Sequence, residues 1–148
     1  NSLCRSSRNI YNLRIFGCYG PTDAEFKLIT SAIRSCLADE AIHLRQNCVF
    51  DFMWVMDLIP VLDYFINNSP KFHDYNVCTG RRTEIVSICQ TIQALMSVSL
   101  PINIDKSGFN NEYSGNNKRL CNEIPVLRFT SLSEGIRKQI EYERGIWK

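Results

Sequence analysis

Short apolar-rich runs alternate along the chain with stretches in which apolar residues return every three or four positions. The first rhythm is that of a strand and the second that of an amphipathic helix. Residues 11–16 predict a strand, closed by the turn signals Gly17, Gly20 and Pro21. Thr22 and Asp23 can cap a helix on which Phe26, Ile29, Ile33, Cys36 and Leu37 share a face. Residues 41–44 read as a weak strand before a turn at Gln46 and Asn47, and the aromatic-rich residues 49–55 as a buried strand. Leu58, Ile59, Leu62, Phe65 and Ile66 trace the next helix, with Pro60 in its first turn, where a missing N–H costs little. Residues 75–78 form a strand, and Thr83 caps a helix carrying Ile85, Ile88, Cys89, Ile92, Leu95 and Met96. Residues 101–104 are a strand and the polar, Gly/Asn-rich residues 105–117 a loop. Ser131 or Ser133 opens a last helix with Leu132, Ile136 and Ile140, running toward Tyr142 and Trp147. Strands alternating with helices predict βα units, a largely parallel sheet and an α/β fold.

Composition adds boundaries. The 148 residues are 45% hydrophobic and 22% charged, ordinary for a globular protein. A net charge of +2 without a clustered basic face argues against a nucleic-acid or membrane-surface partner. The longest apolar run, residues 50–66, holds Asp51, Asp57, Asp63 and Pro60 and cannot span a bilayer. Residues 1–8 are polar and carry no leader-like apolar core, so a cytoplasmic protein is expected. Cys4, Cys18, Cys36, Cys48, Cys78, Cys89 and Cys121 are never closer than eleven positions apart, and no C-x-x-C occurs. Structural zinc sites use close ligand pairs, so no metal is expected and buried free thiols in a reducing cytosol are.

Motifs that carry chemistry are sparse. Neither G-x-G-x-x-G nor G-x-x-x-x-G-K-[ST] is present, nor G-x-S-x-G or H-E-x-x-H, and His43 and His73 lie in unrelated segments. Asp57 sits at a strand-to-helix junction, where a carboxylate that accepts N–H groups of the first turn stabilises by about 1 kcal/mol. Asp51 falls in the buried strand and needs a partner, which Arg14 or Arg45 could supply. The dipeptides Arg81-Arg82 and Lys118-Arg119 lie in loops near strand ends, where α/β folds bind ligands; each is either an anion site or a solvated basic loop.

Four segments carry a family resemblance. Asn12 through Pro21 resembles the "LRxFNVYGP" segment of extended short-chain dehydrogenases/reductases, the NAD(P)-dependent nucleotide-sugar epimerases, dehydratases and reductases. Phe50 through Leu58 is similar to their "RDFxYVxDL", and Tyr75 through Gly80 with Thr83-Glu84-Ile85 to their "YNVGTGxxxSI". Glu112 through Leu120 and Phe129 through Ile136 resemble "EYxGDNSRL…FTSLEEGI". The four stand in the family's order and span nearly the whole chain.

The resemblance implies the C-terminal, substrate-binding half of such an enzyme: the last strands and helices of a Rossmann-type sheet plus a small α/β substrate domain over residues 1–148. The N-terminal half, with TGxxGxxG and the catalytic Tyr and Lys of YxxxK, is expected to be absent, since no Y-x-x-x-K occurs in the chain. No catalytic residue is assigned, and the chain alone is expected to be inactive. The resemblance implies NAD or NADP in the full-length enzyme, a nucleotide-sugar substrate and a homodimer. It places Gly17, Cys18 and Tyr19 beside the nicotinamide and Lys27 near the substrate; Phe50, at the position of the family's arginine, and the loop residues Lys118 and Arg119 are the further substrate-site candidates. Two departures stand out: Gly17 replaces the family's Asn and Phe50 its Arg, a frequent diphosphate ligand whose bidentate geometry a ring cannot replace. Phe50 then either stacks on a base or sugar or fills core. A non-catalytic scaffold derivative of the fold, or a reductase of a non-nucleotide carbonyl, are the alternatives these departures leave open.

Overall fold

A computed structural model describes residues 10–147; Cys4 and the polar residues 1–8 lie outside the described residues. Three strand pairs are parallel. β1 (Asn12–Ile15) pairs with β6 (Asp74–Val77), β2 (Gly17–Tyr19) with β5 (Phe52–Trp54), and β3 (Ile42–Asn47) with β8 (Ile102–Phe109). The short β4 (Val49–Phe50) and β7 (Thr83–Glu84) run antiparallel. The helices are α1 (Leu28–Leu37), α2 (Leu58–Asn67), α3 (Ile85–Met96), α4 (Lys118–Glu123) and α5 (Leu132–Ile146). The expected α/β class and largely parallel pairing are what the chain adopts.

β5 divides the interior. Successive side chains of a strand point to opposite faces, and here Phe52 and Trp54 join a core built from α1, α3 and α5, whereas Met53 enters a second core with Val61, Phe65, Tyr75 and Leu120. β2 repeats the division, Tyr19 on the first side and Cys18 on the second. Helix α5 is fastened by its N-cap, Ser131 Oγ accepting from the Glu134 amide at 3.2 Å. One turn in, Gly135 lies so close to β2 that a Cβ there would be driven into the Tyr19 phenol.

Several expectations are corrected, two of them, at β7 and at β3 with β8, because strand pairing outweighs a local signal. Thr22 and Asp23 do not cap α1, whose N-cap is Lys27 without a side-chain bond, and Phe26 lies outside the helix, exposed. Thr83 does not cap α3; it belongs to β7, opposite Phe50, and Glu84 holds the N-cap position. Gln46 and Asn47 continue β3 instead of turning. The supposed loop at 105–117 is β8 as far as Phe109, with a register shift opposite Gln46 and Asn47 where Gly108 takes a φ of +74°. On α2 the buried residues are Val61 and Phe65, leaving Ile59, Leu62 and Ile66 exposed; Pro60 does fall in the first turn.

Candidate functional site

The chamber forms where β2, β4 and β5 end against the starts of α1 and α3. It encloses about 510 Å³, within the range of small-molecule sites. Of the residues the sequence singles out, Gly17, Cys18, Tyr19, Lys27 and Phe50 line it together. Lys118 and Arg119 do not: they border a separate cavity of about 300 Å³ with Arg14, Asp74 and Asn76, and the two cavities share no lining residue.

Gly17 and Phe50, the two departures, touch each other. A Cβ on Gly17 would come within 2.8 Å of the Phe50 ring and 2.7 Å of the Asp51 carbonyl. Phe50 is half-buried, packs against the first core and also lines the chamber. Its ring stacks on Phe52, with centroids 4.7 Å apart, and tilts against Tyr113 at 4.9 Å. Tyr113 is among the lining residues that sequence reasoning did not assign to a site. It belongs to the stretch read as loop, yet its amide donates to the Val49 carbonyl at 2.9 Å and its carbonyl accepts from the Asp51 amide at 3.0 Å. An aromatic in a polar stretch, one of two there with Phe109, was the available signal.

Tyr19 contributes ring surface only. Its hydroxyl donates to the Leu132 carbonyl at 3.4 Å, and burial pushes its pKa well above the usual phenol range. Burial likewise raises the Cys18 and Cys48 thiols, both of which line the chamber. Lys27 is held by Asp23, Nζ to Oδ1 2.6 Å.

Both singled-out aspartates find partners other than those expected. Asp51, fully buried, pairs with neither Arg14 nor Arg45. Its carboxylate accepts from the Thr79 hydroxyl at 2.6 Å, the Thr79 amide at 3.1 Å and the Gly80 amide at 2.8 Å, anchoring the turn after β6 behind the chamber wall. Asp57 makes no cap bond to α2; it accepts from the Thr130 amide at 3.0 Å and the Thr130 hydroxyl at 2.6 Å, tying the 3₁₀ turn before α2 to the segment that leads into α5.

The basic dipeptides are largely spent on the chain's own acceptors. Arg81 reaches the carbonyls of Thr130 and Phe129, and Arg82 makes a two-pronged contact with Glu112 at 2.7 and 2.5 Å. Arg119 donates to the Asp74 carbonyl at 2.8 Å and lies over the Phe72 ring. Cys36, Cys78 and Cys89 are buried free thiols, while Cys18, Cys48 and Cys121 are partly exposed. Among the described residues no helix is long and apolar enough to cross a membrane.

No protein-family model matches the chain. Solved structures do. RMD from Pseudomonas aeruginosa, complexed with NADPH, superposes with a TM-score of 0.82 at 18% identity, over 97% of this chain and 52% of its own. UDP-glucuronic acid 4-epimerase from Bacillus cereus, in complex with UDP-glucuronic acid and NAD, gives 0.80 at 20% identity, over 99% and 50%. The dTDP-glucose 4,6-dehydratase of Bacillus anthracis, in complex with NAD, gives 0.78 at 18%, over 91% and 45%. The chain spans about half the length of the structures it matches, in line with its resemblance to a C-terminal half. Its fold is therefore that of the corresponding part of the extended short-chain dehydrogenases/reductases that act as nucleotide-sugar epimerases and dehydratases.

Proposed function

We propose that this chain is the substrate-binding portion of an NAD(P)-dependent epimerase, dehydratase or reductase, and that the 510 Å³ cavity is its substrate chamber. One observation carries the reading: Gly17, Cys18 and Tyr19, expected beside a nicotinamide, and Lys27 and Phe50, expected beside the substrate, line a single cavity although up to 33 positions separate them. NAD(P), when bound, supplies hydride-transfer chemistry. The wall made by Gly17 to Tyr19 offers it backbone and apolar ring surface, which suits a planar nicotinamide; the Tyr19 hydroxyl is committed to Leu132 and donates nothing there. The chain carries no glycine-rich phosphate loop, so its contribution is confined to the ring end. Phe50, Phe52 and Tyr113 shape the chamber and exclude water, and Lys27, held by Asp23, closes it beside α1.

The test is a thermal-shift panel of UDP-, GDP-, CDP- and dTDP-sugars and simple carbonyl compounds on the wild-type chain and on Leu28→Trp, which plugs the chamber from its α1 wall. A compound that stabilises the wild type is expected to lose its effect in Leu28→Trp, and the 148 residues are expected to show no NAD(P) turnover. Stabilisation that survives the plug, or turnover by these residues alone, overturns the proposal.

A further inference from the structure

Five residues lining the chamber are aromatic, and they touch in series. Phe16 meets Tyr113 with centroids 5.2 Å apart, Tyr113 meets Phe50 at 4.9 Å, Phe50 meets Phe52 at 4.7 Å and Phe52 meets Tyr19 at 6.1 Å. In the middle of the series Phe50 stacks on Phe52 at 26° and tilts against Tyr113 at 35°. Phe50 cannot retreat toward Gly17, because its ring already fills the space a side chain there would take.

The charge on this wall is balanced. The lining holds one cation, Lys27, and one anion, Asp23, and the two bind each other. The nearby guanidiniums of Arg81 and Arg82 are engaged by carbonyls and by Glu112, and neither lines the chamber. A diphosphate would shed its water against rings and an already neutralised lysine, an unfavourable exchange. A flat, uncharged ring loses little water and gains stacked aromatic faces. One polar handle remains. Tyr113 is 47% exposed, and among the described residues nothing hydrogen-bonds its hydroxyl. A phenolic O–H so placed can donate to a carbonyl oxygen.

We infer that the chamber takes a planar, uncharged aryl carbonyl compound, held against the aromatic wall of Phe50 and Tyr113, in place of a ligand anchored through a diphosphate. This rests on the cavity being the substrate chamber. The experiment is calorimetric titration of the full chain with 2-acetylnaphthalene, with UDP-glucose and with UDP. The ketone is expected to bind at least about tenfold more tightly than UDP-glucose, and Tyr113→Leu, at the exposed rim, to weaken it by about tenfold. Phe50→Arg is expected to weaken the ketone and strengthen UDP. Three results overturn the inference: UDP-glucose binding as tightly as the ketone, a ketone affinity indifferent to Tyr113→Leu, or no binding by the ketone. Preferential UDP-glucose binding that Leu28→Trp abolishes sinks the aryl carbonyl alone and leaves the chamber standing, whereas binding that survives Leu28→Trp removes the chamber as well.

Discussion

Gly17 and Phe50 form one coupled feature, and a double-mutant cycle measures the coupling. The perturbation is Gly17→Ala, alone and with Phe50→Ala. Gly17 does not have a positive φ, so alanine meets no backbone strain there, and relieving a strand glycine stabilises by roughly 0.5–1 kcal/mol. Against this stands the Cβ, placed 2.8 Å from the Phe50 ring and 2.7 Å from the Asp51 carbonyl. Overpacking of this kind costs about 1–3 kcal/mol, so space outweighs propensity and the single variant is expected to lose about 1–2 kcal/mol. Phe50→Ala, at a half-buried ring, should cost about 2 kcal/mol, below the 3–5 of a fully buried one.

With the ring gone, only the Asp51 carbonyl still opposes the new methyl group. The double variant should therefore fall short of the summed losses by about 1 kcal/mol, a coupling typical of residues in contact. Equilibrium urea unfolding reads it as a difference in midpoint at constant m. Losses that add to within about 0.3 kcal/mol would refute the coupling, because residues that share a wall do not add.

Three further outcomes follow from the buried and paired groups. Asp57→Ala removes both acceptors of Thr130, and charge-assisted bonds of this kind stabilise by about 1.5–3 kcal/mol each; a loss of about 3 kcal/mol is expected, with Thr130→Ala, which keeps the amide bond, losing about half as much by the same urea measurement. Burial lifts the Cys78 thiol from 9.0 to about 11 and the Cys89 thiol from 9.0 to about 12. The protonated thiols thus favour the folded state: their contribution is whole below pH 9 and lost as pH rises toward 11 and 12, on the order of 1.4 kcal/mol per unit for each thiol. Cys89→Ala should flatten the alkaline slope of stability, and an unchanged slope would contradict the assignment. Arg82, together with the Ser114 hydroxyl, holds the exposed Glu112 carboxyl below its ordinary range. Its stabilisation is present above that range and lost as pH falls through the lowered value, so the melting temperatures of wild type and Glu112→Gln should converge in acid.

Much of the fold was legible because period and punctuation are local. Ile29, Ile33 and Cys36 announce α1; Ile85, Ile88, Cys89 and Ile92 announce α3; and each set is buried as a face. The errors gather where a residue's energy is settled by something distant. Asp57 has the sequence position of a helix cap, but two donors on Thr130, 73 positions away, hold it instead. Asp51 looked as though it needed an arginine, yet two backbone amides and a hydroxyl satisfy a buried carboxylate without a second buried charge. The start of β8 was legible at residues 101–104, but its extension to Phe109 was not, because residues 105–108 are polar and exposed and no alternation marks them; only pairing with β3 makes them a strand.

The chamber shows the same limit and the way past it. Local reasoning could name Gly17 and Phe50 as departures but not connect them, because 33 positions separate them and the contact runs through strand pairing. The parallel register of β2 and β5 sets Gly17 opposite Phe52, which carries Phe50 and Asp51 up to the glycine. The bridge between Phe50 and Tyr113 then brings the third ring from a stretch that composition assigns to solvent. With a phenylalanine at position 50, an asparagine at position 17 would collide with its ring. With glycine at 17, the phenylalanine becomes a fixed aromatic wall. The two departures are thus one coupled feature of a single surface, in which a glycine at 17 makes room for the ring at 50 and the wall presents aromatic faces.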